Sequence, residues 1–169
     1  INQAMITVTD IAADNGVVHV IDAVITQPQS IVDIVVNSPR HSTLEAAVVA
    51  AELAGALSSE GSFTLFAPTD AAFAALGSET INALLADPKG ALAEILKYHV
   101  VSGSVMAGDL SDGQKVEMLE GTNAFVSLFD GKAYINQAMI TVTDIEADNG
   151  VVHVIDAVIT QPKSILDLI

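Results

Sequence analysis

The sequence predicts an α+β fold: short helices in the first half of the chain, then a mostly antiparallel sheet in the second. Three observations predict it. Between Ser30 and Tyr98 the apolar residues recur at helical spacing and are punctuated by capping residues. From His99 onward they fall in short runs separated by Asp130-Gly131 and Asn149-Gly150 turns. Helices grouped ahead of strands point to segregated layers rather than alternating βαβ units. Composition permits such a core, since 51% of the 169 residues are hydrophobic and only 16% charged, a balance that favours one folded domain over disorder.

Taken in order, Ser30 and Asp33 frame a short capped helix that stops before Pro39. Ser42 with Glu45 repeats that capping-box pattern and opens an Ala-rich helix to about Leu57, with Leu44, Val48 and Leu53 on its buried side. Phe63–Phe66 is an apolar strand ended by Pro68, and Thr69-Asp70 turns it into a helix over Ala71–Leu76. Helices around Thr80–Leu85 and after Asp87-Pro88 follow, the second running to about Tyr98. Strands are expected at Val116–Leu119, Ala124–Phe129, Ala133–Ile135, Ile140–Ile145 and Val151–Ile159.

The net charge is −15, from 21 acidic and six basic residues. The six (Arg40, Lys89, Lys97, Lys115, Lys132 and Lys163) are scattered, so the sequence offers no phosphate-binding face, and nucleic acid and anionic membranes are poor partners. No apolar run reaches the roughly 18–20 residues a spanning helix needs, so no membrane insertion is expected in this segment. Ile1 reads as the middle of a strand, which places any export signal outside these residues. Cysteine is absent, which removes disulfides, thiolate nucleophiles and Cys-based zinc sites.

The most informative feature is an internal repeat. Ile1–Val35 returns as Ile135–Ile169, differing only at Ala12/Glu146, Gln29/Lys163, Val32/Leu166, Ile34/Leu168 and Val35/Ile169. An offset of 134 residues is a domain length, not a solenoid unit of about 20–50 residues, and indicates a tandem array. The expected organisation is the C-terminal hairpin of a preceding module over residues 1–28 and a complete module over 29–169.

Two segments resemble the signature blocks of the fasciclin (FAS1) family. Phe63-Thr64-Leu65-Phe66-Ala67-Pro68-Thr69-Asp70-Ala71-Ala72-Phe73 is similar to the first, and Asn149-Gly150-Val151-Val152-His153-Val154-Ile155-Asp156 to the second. Between them Tyr98-His99 resembles the family's Tyr-His motif. The resemblance implies a β-sandwich-like wedge with packed helices, in a secreted or surface-anchored, extracellular protein that mediates adhesion. It also implies partner binding at Tyr98, His99, Asp144 and Ile145, with Asp10 and Ile11 their counterparts in the first copy. The residues flanking Asp144-Ile145, Thr143 and Glu146, depart from those of animal members.

Each of these residues also has a structural reading. Tyr98 and His99 stand at a helix-to-strand junction, where a packed ring with bonded polar atoms is the ordinary outcome. Thr69-Asp70 reads as a helix cap, and Asp156 as a solvated or hydrogen-bonded carboxylate. Asp144, Glu146 and Asp148 alternate and on a regular strand would share one face, but the spacing fails as a calcium loop. No metal or other cofactor is expected. No HExxH, G-x-S-x-G, P-loop or G-x-G-x-x-G occurs, and nothing in the sequence pairs a nucleophile with a base, so no enzyme is expected. Two functions remain: an adhesion module binding a cell-surface or matrix protein or glycan, and a passive spacer in a repetitive surface protein.

The first copy brings a structural conflict. Ile6–Ile11 and Val17–Ile25 match strands of the second copy, so two hairpins compete for one sheet position, and an undocked one exposes ladder groups and apolar side chains. The expectation is that it docks, either in place of the C-terminal copy or by exchange into a neighbouring chain, giving a strand-exchanged homo-oligomer through residues 1–28.

Overall fold

The computed structural model describes residues 4–23, 29–59 and 61–160. The chain runs β1 (Ile6–Ala13), β2 (Gly16–Ile21), α1 (Ile31–Val36), α2 (Ser42–Ala50), α3 (Ala54–Leu57), β3 (Phe63–Pro68), α4 (Asp70–Leu76), α5 (Ser78–Ala86), α6 (Ala91–Lys97), β4 (Val100–Ser102), β5 (Lys115–Glu117), β6 (Asn123–Phe129), β7 (Lys132–Ile135), β8 (Ala138–Ala147) and β9 (Gly150–Ile155), with a 3-10 turn at Ala107–Asp109. This is the α+β arrangement expected.

Strands β3 to β9 form one sheet in the order β4-β3-β9-β8-β7-β6-β5. Its pairs are antiparallel except β3 with β9, which run parallel from Phe63↔Gly150 to Pro68↔Ile155. A bridge from Val101 to Met118, with the Leu119 N–H donating to the Val100 carbonyl at 2.7 Å, brings the two ends of the sheet together. The sheet therefore has an inside. Phe66, Tyr98, Val126, Ile135 and Ile155 fill it, while Leu65 and Ala67 turn the other way to pack with α1, α2 and α6. Both faces of β3 are thus covered, which is why its sequence is apolar throughout instead of alternating.

Local chemistry explains where the helices begin. In α1 the Ser30 hydroxyl accepts the Asp33 N–H, and the Asp33 carboxylate accepts the Ser30 N–H at 2.8 Å, a complete capping box. The Ser30 backbone and side-chain bonds hold Asp33 below the usual carboxylate range. Thr69 caps α4 as expected, accepting the Ala72 N–H.

The Ser42–Glu45 box does not form. His41 stands at the N-cap of α2, and the helix end is capped from another element: Asp70 accepts the N–H groups of Ser42 at 3.3 Å and Thr43 at 2.7 Å and the Ser42 hydroxyl at 2.9 Å. Burial pushes the Asp70 carboxyl up, but the bonds from Thr43 and Ser42 outweigh it and hold it low. Asp70→Ala is expected to cost about 1–2 kcal/mol in urea denaturation at pH 7. Because the folded-state pKa is depressed, that difference should shrink as pH falls below about 4.

The expected single helix to Leu57 is two. Glu52 adopts a left-handed φ of 56°, its N–H bonds the Val49 carbonyl and the Leu53 N–H that of Val48, a Schellman ending that stops α2 before α3 begins. The last helix starts at Ala91 rather than beside Pro88, because Asp87 caps Gly90 and Ala91 instead. Strand β4, three residues long, was too short to leave a pattern in the sequence. The last strand ends at Ile155, short of the expected Ile159.

The two copies of the repeat part company. In the second, β8 continues from β7 through a two-residue turn and β9 lies beside β3. In the first, β1 and β2 form a two-stranded sheet of their own. The expectation that the first copy replaces the second is therefore overturned. The second copy follows directly on β7 through that turn, so its closure costs little chain entropy. Ile1 and residues 24–25 of the expected hairpin lie outside the described residues.

Candidate binding surface

The four residues singled out by resemblance fall into two separate pairs. Tyr98 and His99, at the end of α6, are each 1% exposed. The Tyr98 hydroxyl donates to the Asn123 carbonyl at 3.3 Å and accepts the Asn136 amide at 3.1 Å, tying α6 to β6 and to the β7–β8 turn. His99 Nδ1 donates to the Ile95 carbonyl at 2.7 Å, and Nε2 accepts the Ile159 N–H at 2.8 Å. With both nitrogens so used, the ring is held neutral, and burial drives its pKa down to about 4 against a smaller upward pull from the Ile95 bond.

Asp144 and Ile145 sit on a bulge in β8, where the register to β9 shifts between Val142 and Ile145 and Asp144 takes a left-handed φ of 55°. The Asp144 N–H donates to His153 Nδ1 at 3.2 Å, and its carboxylate accepts the Ala107 N–H at 2.7 Å. Asp144 remains exposed and Ile145 half-buried. Asp144, Glu146 and Asp148 are all exposed, alternating with the half-buried Ile145 and Ala147, and among the described residues no group of three such side chains is placed to hold a metal ion. Asp156 is exposed and accepts the Met139 N–H. Among the described residues no hydrogen bond joins the two pairs.

Ile145 lines a cavity of about 160 Å³ that the sequence did not reveal, together with Ile34, Arg40, His41, Val142 and Val154. Its walls are mostly apolar, with Ser38 and His41 the polar exceptions, and Arg40, exposed at the edge, supplies a cation. A second feature missed in the sequence is a contact of 2.7 Å between the Ser38 hydroxyl and His41 Nδ1, which corrects the reading that no nucleophile meets a base. The arrangement is a poor acyl-transfer centre. Among the described residues no side chain orients His41 Nε2, and burial lowers the pKa of the ring against a smaller upward pull from the Ala67 backbone. The backbone donors next along, Ser42 and Thr43, are already occupied by the Asp70 carboxylate, leaving no oxyanion hole there.

A third is Asn149, 8% exposed. Its side-chain oxygen accepts the Ile31 N–H at 2.8 Å and its amide donates to the carbonyls of Leu57 and Ser59. It thereby fixes the β8–β9 turn to the helix layer and holds the Asp144–Ile145 strand in place.

A family model for the Fasciclin domain matches residues 39–162. Protein sll1483 of Synechocystis is 46% identical over 134 residues, covering 79% of this chain and 74% of that protein. Human periostin is 34% identical over 172 residues, 99% of this chain but 20% of periostin. The structure of a FAS1 domain pair from the insect cell adhesion molecule Fasciclin I superposes with a TM-score of 0.71 at 22% identity, covering 94% of this chain and 60% of that one.

Proposed function

Because the chain belongs to the fasciclin domain family, we propose that it is an extracellular adhesion module that binds a protein or glycan of the cell surface or matrix through its outer face. The observation that carries this reading is the partition of the four candidate residues. Tyr98 and His99 are internal and fully bonded, so they position strands. Asp144 and Ile145 stand at the surface on a bulge braced by His153 and Ala107, beside an apolar cavity edged by Arg40. A bulge that re-aims side chains next to a cavity is a common setting for recognition. No helix among the described residues is long and apolar enough to cross a membrane.

The test is adhesion of cells, matrix proteins and polysaccharides to the immobilised chain. Asp144→Asn keeps a residue that tolerates the left-handed backbone and removes the charge, and Ile145→Ser removes the apolar contact. Each is expected to weaken binding about tenfold, the order of a single well-placed contact at an interface, with the melting transition retained. Binding that survives both substitutions unchanged sinks the assignment of the surface. The domain-length repeat favours a second reading, a passive spacer, for which the wild-type chain binds nothing and a multi-module array scatters as a stiff rod.

A further inference from the structure

We propose that the cavity beside Ile145 binds a small hydrophobic carboxylate, its apolar part between α1 and the β8–β9 pair and its charge on Arg40 at the mouth. This deepens the adhesion reading: it rests on the same face and names the chemistry that the cavity there accepts.

The bulge builds the cavity wall. Val142 and Ile145 are three residues apart and on a regular strand would point to opposite faces. The extra residue at Asp144 turns Ile145 back, so that the cross-strand pairs Val142↔Val154 and Ile145↔Val152 all line the cavity. Ile34 of α1 lines it as well, and Ser38 and His41, the polar part of the lining, bond each other at 2.7 Å. The floor is closed, with Val152 and Val154 1% and 5% exposed. The volume of about 160 Å³ is close to the roughly 150 Å³ in which an apolar cavity takes up benzene. The guest is therefore one apolar group of about six carbons. A sugar would leave hydroxyls unpaired against these walls.

Charge selects the head group. The protein has 21 acidic residues, yet among the described residues the one ion pair joins Lys89 to Glu52, and Arg40 is left without an acid. Asp70, whose field reaches His41 beside Arg40, is already tied by the donors of Ser42 and Thr43. A guanidinium presents a planar fork of donors that fits a carboxylate. One free cation matches a monoanion, whereas a doubly charged phosphate needs more donors than Arg40 alone supplies. Such a carboxylate belongs either to a free acid or to the C-terminus of a partner chain that ends in an apolar residue.

The readout is the methyl chemical shifts of Ile34, Val142, Ile145 and Val154 in the full chain, with phenylacetate as the probe. Saturable shifts are expected, half-complete at about fivefold lower concentration than with phenylacetamide, the order of an exposed ion pair. Arg40→Gln should remove that preference. Val142, 41% exposed at the rim, can be enlarged without displacing the core, so Val142→Phe should fill the cavity and abolish the shifts with the melting transition retained. A short peptide ending in Phe with a free carboxylate separates the sources. If it binds more tightly than phenylacetate the guest is a partner's C-terminus, otherwise a free acid, and either supports the site. The proposal is overturned if phenylacetamide binds as tightly as phenylacetate, or if no saturable shift reaches these methyls. Adhesion is scored separately on the same chain. Adhesion that depends on Asp144 without phenylacetate binding sinks this proposal alone, and phenylacetate binding without adhesion sinks only the adhesion reading.

Discussion

Gly150→Ala is expected to remove more than about 3 kcal/mol of stability, enough to abolish the fold of a marginal domain. A Cβ built on Gly150 lies 1.9 Å from the Phe63 carbonyl oxygen and 2.9 Å from the Phe63 nitrogen. Both are backbone atoms of the strand that β9 pairs with, so neither can move aside without opening the parallel ladder. Gly16 occupies the same place in the first copy, and a Cβ there meets nothing within 4 Å. Gly16→Ala in the wild-type chain should therefore leave the thermal midpoint where it was. Equal effects at the two glycines, measured by thermal and urea unfolding, would refute the close-approach account.

Gly150 also marks a boundary of what could be read in the sequence. Asn149-Gly150 looks like a two-residue hairpin turn, and a hairpin is there. Yet Ala147 pairs with Gly150, so the turn residues are Asp148 and Asn149, and the glycine is needed for contact with β3. Asp130-Gly131, by contrast, is a turn in the expected sense, with φ of 53° and 72°. Features set within a few residues were legible: the Ser30–Asp33 box, the Thr69 cap, the apolar run of β3 and the strand alternation. Features set by meetings across the chain were not. Ser42 and Thr43 draw their cap from Asp70, Asn149 bonds Ile31 and Leu57, and Val101 meets Met118 to close the sheet. The candidate site divides along the same line. Tyr98 and His99 could be named by resemblance, but only their packing assigns them to the interior, and the cavity beside Ile145 joins α1 to β8 and β9.

His99 is where that internal role can be measured. His99→Ala is expected to cost about 4 kcal/mol or more: truncating a buried ring leaves a cavity worth about 3–5 kcal/mol in aromatic-to-alanine changes. The Ile95 carbonyl and Ile159 N–H also lose their partner, at about 1–3 kcal/mol each if water cannot reach them. A residue that served only as a binding contact would leave stability unchanged. The wild-type chain carries a second signature, in its pH dependence. With a folded-state pKa of about 4 against about 6.5 unfolded, His99 is neutral when folded while the unfolded chain takes up a proton. Stability therefore falls as pH drops from about 6.5 to 4, by about 3 kcal/mol for this group. His41, lowered chiefly by burial, acts in the same direction. The depressed carboxyls of Asp33 and Asp70 act only lower, as pH falls through and below the ordinary carboxylate range. Nitrogen chemical shifts of the His99 ring should report the Nδ1–H tautomer with no titration until about pH 4. A ring that titrates near 6.5 would place His99 in solvent and return it to the list of contact residues.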